Sequence, residues 1–304
     1  MESLTAAEVT AAGHRVLEIS KRQLIVEGLA LVQEPPRLAD DLFVVHTALP
    51  DPGHRKTDLL ATARAFRFET ALGERRGFAV TASFVGERNF NRFDVEDLVG
   101  SALGGRYYSR RDGQTPPADR DDWRVVLDGK TLWVARRPYD VPLHRRPWRQ
   151  QTVVGSLHPP VAAAMARLAR LEPGHRVLDP YCGAGTLLVE AHALEPRASY
   201  VGLDREPTAI AAARANSADI RWSRKKVDGS FDRIITNPPW GVRLPAGDLV
   251  RQLDQWQVSG RLVAIVTHDQ AARLSTAWRI EERYDVSVAG QHARIVVAKR
   301  PVPD

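Results

Sequence analysis

The rhythm of apolar and polar positions changes near residue 155. Downstream, helix-period segments alternate with short apolar runs. The pattern predicts a helix over Pro160–Leu171, a strand at His175–Asp179, a helix at Thr186–Leu194 and a strand at Tyr200–Asp204. A helix at Pro207–Ala215, a short strand at Ile220–Trp222 and a strand over Asp232–Asn237 come next. A helix through Asp248–Gln257, a strand at Leu262–Thr267 and two strands around Asp285–Val288 and Arg294–Ala298 complete the series. Alternation of this kind predicts an α/β, doubly wound, Rossmann-like domain: a mainly parallel sheet covered by helices, with an antiparallel pair at its end.

Upstream the rhythm is different. Apolar segments lie at Leu24–Val32, Leu42–His46, Phe78–Phe84, Arg124–Leu127 and Leu132–Ala135, with helical stretches at Asp58–Phe66 and Val95–Leu103. Asp128-Gly129 between two apolar runs is a hairpin signal, and Pro116-Pro117 marks an exposed loop. Elements in this order suggest small α+β layers rather than a second nucleotide fold. No internal repeat is visible.

The 304 residues carry a net charge of +6, which leans toward a polyanionic partner. Residues 1–150 are nearly balanced, with 23 basic and 21 acidic side chains. Within them, Arg136 to Arg149 holds five arginines, Tyr139, His144 and Trp148 against the single acid Asp140. That segment reads either as a solvated linker or as a grip on a nucleic-acid backbone, since guanidinium groups bind phosphate bidentately and aromatic rings stack on bases. Cys182 is the only cysteine, which excludes an intrachain disulfide and a multi-cysteine zinc site. No apolar run spans a bilayer and the N-terminus lacks a signal-peptide pattern, so a cytoplasmic protein without a membrane or metal partner is expected.

Two motifs carry the candidate chemistry. Asp179-Pro180-Tyr181-Cys182-Gly183-Ala184-Gly185-Thr186 follows a strand and opens a helix, where glycines allow close backbone approach to a ligand. Asp204 ends the next strand and suits the two hydroxyls of a ribose. The lack of a third glycine and of a basic phosphate partner favours an adenosyl ligand over a dinucleotide. Cys182 reads as a small filler. The second motif, Asn237-Pro238-Pro239-Trp240, follows the strand ending near Thr236. Its prolines donate no N–H. The Pro238 carbonyl and the Asn237 amide oxygen then form two acceptors matched to an exocyclic amino group, with Trp240 as a stacking face.

These residues, with Asn237 to Arg243 reading Asn-Pro-Pro-Trp-Gly-Val-Arg, resemble the THUMP-containing RNA guanine-N2 methyltransferases, the Trm11 and Trm14/TrmN group. Pro142 to Arg149 and Gly155 to Pro160 resemble the segment before the catalytic domain in that group. Phe78–Ala135, with Asp94 to Gly100, resembles THUMP, and residues up to about 75, with Leu38 to Phe43, resemble the small ferredoxin-like domain ahead of it. The resemblance implies a ferredoxin-like domain over 1–75, a THUMP-like RNA-binding domain over 76–138, a basic linker over 139–156 and the methyltransferase domain over 157–304.

It further implies S-adenosyl-L-methionine as cofactor, held by Asp179, Tyr181, Gly183, Gly185, Thr186 and Asp204. Asn237, Pro238, Pro239 and Trp240 would hold a guanine, and Arg145, Arg146, Arg149 and Arg243 would contact RNA, with tRNA as substrate; a monomer is expected, though no residue pattern fixes the oligomeric state. One departure stands out. Ser223-Arg224-Lys225-Lys226-Val227 occupies the place where the group carries an acidic adenine contact, and Asp228 lies beyond it. An rRNA guanine-N2 methyltransferase and a catalytically impaired RNA-binding paralogue are the alternatives. A DNA amino-methyltransferase or a protein glutamine methyltransferase would leave residues 78–135 without a purpose.

Overall fold

The computed structural model describes residues 1–63, 77–240, 246–288 and 290–301. They divide into two units. One joins residues 1–28, 36–40 and 144–304; the other contains 29–35 and 41–143.

The chain opens with helix α1 (Glu2–Ala11) and an antiparallel hairpin of β1 (Arg15–Ser20) and β2 (Gln23–Glu27). The expected apolar segment Leu24–Val32 is cut in two: Gly28, at φ 118°, ends the strand, and a 3-10 turn follows over Leu29–Val32. Within the second unit, β3 (Val44–Pro50), α2 (Lys56–Ala63), β4 (Phe78–Phe84), α3 (Arg92–Leu103), β5 (Asp121–Leu127) and β6 (Thr131–Arg136) form a four-stranded sheet of order β3-β6-β5-β4. The hairpin at Asp128-Gly129 is present, with Leu127 opposite Leu132 and the Asp128 N–H donating to Thr131 O at 3.1 Å. Helix α3 starts at a capping box in which Asn91 and Asp94 each accept from the other's backbone N–H. Alternate residues of the strands, among them Val80, Trp123, Val125, Leu132 and Val134, form the buried core under α3.

The remaining elements are α4 (Pro159–Leu168), β7 (Arg176–Asp179), α5 (Thr186–Leu194), β8 (Ser199–Leu203), α6 (Pro207–Asn216), β9 (Arg221–Ser223), β10 (Ser230–Thr236), α7 (Ala246–Leu253), β11 (Gln257–Val266), α8 (His268–Leu274), β12 (Arg279–Val288) and β13 (Gln291–Lys299). Among the described residues the strands form one seven-stranded sheet of order β12-β13-β11-β10-β7-β8-β9. Strands β7 to β11 run parallel and β13 is antiparallel to both neighbours. The period-2 rule explains its two cores. Val177, Ile235, Val263, Ile265 and Ile295 pack on the α4, α5 and α6 side, whereas Leu178, Ile234, Leu262, Ala264 and Val296 pack with α7 and α8.

The expected elements are found among the described residues, with shifted ends; of the helix expected over Asp58–Phe66, residues 64–66 lie outside the described residues. Strands β11 and β12 extend five or six residues earlier than their apolar runs, because polar side chains occupy their exposed positions. Helix α8 was not anticipated.

The chain boundaries also differ from the expected 1–75 division. Residues 1–28 and 36–40 belong with the large sheet. Met1 and Leu4 of α1 pack with Leu38 against Ala163 and Ala164 of α4. Glu8 accepts from the backbone N–H groups of Arg37 and Leu38 at 3.2 and 3.0 Å, and Arg37 donates to Glu190 of α5 at 3.0 and 2.7 Å. No helix among the described residues is long and apolar enough to cross a membrane.

Candidate active site

In an open α/β sheet the crevice forms outside the carboxyl ends of the strands, where the direction of winding reverses. Here β7, β8 and β9 run out one way and β10 and β11 the other, so the reversal falls between β7 and β10. Both motifs sit there. Asp179 ends β7 and Asn237 follows β10 directly. The two ends are bonded: the Thr236 hydroxyl donates to Asp179 Oδ1 at 2.7 Å, and the Tyr181 N–H donates to the same oxygen at 3.0 Å. Asp179 is almost fully buried, and burial, opposed by those two donors, pushes its carboxyl up to about 7.

The glycine turn is shaped by its surroundings. Gly183 and Gly185 have φ of 52° and 81°, and Gly185 is the left-handed residue that opens α5. A Cβ on Gly185 would lie 2.5 Å from the Trp222 ring, and one on Gly202 2.3 Å from it. Trp222, in β9, is therefore the floor of the turn; its indole N–H donates to Ser217 O at 2.8 Å. Asp204 holds the turn from the side, with Oδ2 accepting from the Gly183 N–H and Oδ1 from the Glu206 N–H, both at 3.0 Å. Thr186 Oγ1 is buried and has no hydrogen-bond partner among the described residues. Burial pushes the Cys182 thiol up, which keeps it inert and fits the filler role. Tyr181 turns the other way: its ring packs on the α7 side and its hydroxyl bonds Gln252 of α7, so its backbone rather than its ring belongs to the turn.

A strap closes the other side. Asn216 accepts from the N–H groups of Gln150 and Gln151, both at 2.9 Å, and donates to Gln151 O and Ala184 O at 2.8 and 2.9 Å. The strap passes Gly183, where an added Cβ would sit 3.5 Å from Val153, and reaches Gly155, whose carbonyl accepts from Asn237 Nδ2 at 3.2 Å. With its NH2 engaged there, Asn237 presents Oδ1 as its other face. Among the described residues the Pro238 carbonyl accepts no hydrogen bond, whereas the Pro239 carbonyl accepts from Gln270 at 3.0 Å. The Trp240 indole N–H donates to Ile265 O at 3.2 Å, and the ring packs on the α4 side of the sheet.

The arginines separate. Arg145 is exposed. Arg146 is built into the fold and corrects the expectation of a phosphate contact: its side chain is 9% exposed and donates to the buried Glu190 at 2.8 Å. Arg149 donates to Leu157 O at 3.2 Å, and burial holds its guanidinium below its usual range. Arg243 lies outside the described residues. After β9 the Ser223 hydroxyl and the Lys225 backbone bond one another, Arg224 donates to Arg205 O at 3.2 Å, and Asp228 is exposed. Trp222, Asn216 and Gln270 escaped the sequence reading. Only Gln270 had a signal, the Thr-x-x-Gln of a capping box ahead of α8.

A glycine turn at the switch point of a β9-β8-β7-β10-β11-β13-β12 sheet, facing Asn-Pro-Pro-Trp, defines a methyltransferase of the α/β class. The UPF0020 family, described as an RMKL-like methyltransferase domain, matches residues 146–270. A tRNA (guanine(6)-N2)-methyltransferase of Thermus thermophilus is 32% identical over 232 residues, covering 72% of this chain and 68% of the relative. Another, from Archaeoglobus fulgidus, is 25% identical over 299 residues, covering 83% and 75%. The crystal structure of TrmN from Thermus thermophilus superposes with a TM-score of 0.81 at 26% identity, covering 99% of this chain and 96% of that one. The chain belongs to the UPF0020 (RMKL-like) methyltransferases, in the group of the tRNA guanine-N2 enzymes.

Proposed function

We propose that this chain transfers the methyl group of S-adenosyl-L-methionine to the exocyclic N2 of a guanine in tRNA, at position 6. The observation that carries the reading is the bond between Thr236 and Asp179, which fixes the glycine turn and Asn-Pro-Pro-Trp on adjacent strand ends. The relatives named above are both tRNA (guanine(6)-N2)-methyltransferases, which supports this choice of RNA and position.

The site suits the cofactor in its donor set. Asp179 offers a buried carboxylate to a cationic ligand, Thr186 Oγ1 is a buried hydroxyl without a partner among the described residues, and the glycines leave the turn open to close approach. Asp204 stands at the end of β8, where a ribose would meet it. When bound, the cofactor supplies a methyl group on a sulfonium, a good electrophile that needs no metal.

The protein's part is alignment. Asn237 Oδ1 and the Pro238 carbonyl accept the two N–H bonds of the guanine amino group, turning the nitrogen lone pair toward the methyl. Transfer would form the N–C bond as the cofactor's S–C bond breaks, and the proton then lost from the nitrogen would pass to solvent. A base in the acceptor stem is stacked, so it leaves the helix to reach this crevice. The second unit reads as the THUMP-like RNA-binding part, and Arg145 as a phosphate contact.

The test is incubation of an unmodified tRNA transcript with labelled cofactor, followed by nucleoside mass analysis and mapping. N2-methylguanosine at position 6 is expected. Label at another base, or none, would overturn the assignment. Asn237→Ala should leave cofactor affinity near wild type and lower turnover by about a hundredfold or more; wild-type turnover in that variant would remove the amino-group clamp.

A further inference from the structure

The carbonyl of Pro239 is held from outside its own loop. Gln270, 2% exposed at the third position of α8, donates from Nε2 to Pro239 O at 3.0 Å. Its other side-chain atom is committed to the helix start: Oε1 accepts from the Thr267 N–H at 3.1 Å, while the Gln270 N–H donates to Thr267 Oγ1 at 3.2 Å. One amide thus serves two masters, a helix cap with its acceptor and the catalytic loop with its donor.

The arrangement has a geometric consequence. Two prolines in succession supply no N–H, so Pro238 and Pro239 give their loop no backbone donor with which to tie itself down. The loop is secured by donors and acceptors on its neighbours instead. Gln270 grips the carbonyl after Pro239, and Ile265 O of β11 receives the Trp240 indole N–H at 3.2 Å. Asn237 is tied on the opposite side to Gly155. The Pro238 carbonyl lies between these ties, and its direction is set by the peptide planes on either side.

We infer that Gln270 is a positioning residue for methyl transfer: it orients Asn-Pro-Pro-Trp by fixing the Pro239 carbonyl, and so aims the Pro238 carbonyl at the amino group of the substrate base. The inference rests on the amino-methyltransferase reading above. Helix capping and loop positioning use different atoms of this side chain. That difference makes them separable.

Gln270→Glu keeps an oxygen to accept from the Thr267 N–H, and glutamate is as good a partner as glutamine in a capping box. It removes the donor to Pro239 O and sets two oxygens against one another. With the wild-type chain and tRNA at pH 8, Gln270→Glu buries a charge against a carbonyl and is expected to lower the unfolding midpoint while keeping the affinity for S-adenosyl-L-methionine. Its kcat should fall about tenfold to a hundredfold while KM for tRNA changes little, the scale expected for a displaced catalytic group. Gln270→Leu, which loses the side-chain bonds to Pro239 and to Thr267, should lower kcat similarly and the unfolding midpoint as well.

A second readout does not depend on turnover. In chains labelled with 5-fluorotryptophan, the resonance missing from Trp240→Phe identifies Trp240. That line should shift or broaden in Gln270→Glu. Wild-type kcat together with an unmoved Trp240 line would overturn the inference. Absence of transfer by the wild-type chain itself would instead sink the functional reading, and the Trp240 line would then decide on Gln270 alone.

Discussion

At the residue scale the most consequential group is Asp179. Burial disfavours its charge, so the folded chain holds a proton up to about pH 7 that the unfolded chain releases near 3.8. The folded state binds more protons across that window, so stability falls as pH rises through it, by on the order of 4 kcal/mol. Asp179→Asn should show a flatter unfolding profile from about pH 4 to pH 7; equal slopes in denaturant titrations would contradict this. A cationic ligand favours the ionised carboxylate, so affinity for the cofactor should rise from about pH 6 to about pH 8, readable by calorimetry. The arginines were less legible. Arg145 and Arg146 are neighbours in a basic run, and nothing in the run tells which one meets a buried glutamate. Arg145→Ala should weaken tRNA binding and reduce the salt slope by about one. Arg146→Ala should instead act through stability. The glycines and prolines of the two motifs were legible because those residue types constrain the backbone directly.

At the scale of elements, the sheet was readable from periodicity because parallel strands are buried on both faces and appear as apolar runs. Strand β9 was nearly invisible, at three residues, yet it carries Trp222. The tight fit of Trp222 under Gly202 has a measurable consequence. Gly202→Ala inserts a methyl 2.3 Å from the ring and should cost about 1–3 kcal/mol by overpacking. Trp222→Leu in the same chain should return part of that loss, so the two changes should be non-additive in unfolding experiments. Additive effects would mean the ring is not the obstacle. The short helix α8 was missed because seven residues show little periodicity, although its capping box was written in Thr267 and Gln270.

At the scale of the molecule, a sequence read from left to right suggests domains in series. The chain instead begins in the unit with the large sheet, passes through the four-stranded unit and returns. That path depends on contacts between residues more than a hundred positions apart, such as Arg37 with Glu190, and no local pattern encodes them. Glu190 is fully buried and paired to both Arg37 and Arg146. Removing it takes the buried carboxylate partner from the nearly buried Arg146 cation, so Glu190→Ala should destabilise the large-sheet unit by about 3–5 kcal/mol; a change under about 1 kcal/mol would show the bridge to be dispensable.

The packing of α1 and Leu38 on Ala163 and Ala164 also bears on how the protein is made. During synthesis the first forty residues emerge long before α4, the surface they cover. They can dock only once α4 has been translated, after the four-stranded unit that lies between them in the sequence. A fragment starting at residue 144 would carry every motif of the crevice yet leave that flank of α4 bare, and a peptide of residues 1–40 is the piece that would cover it.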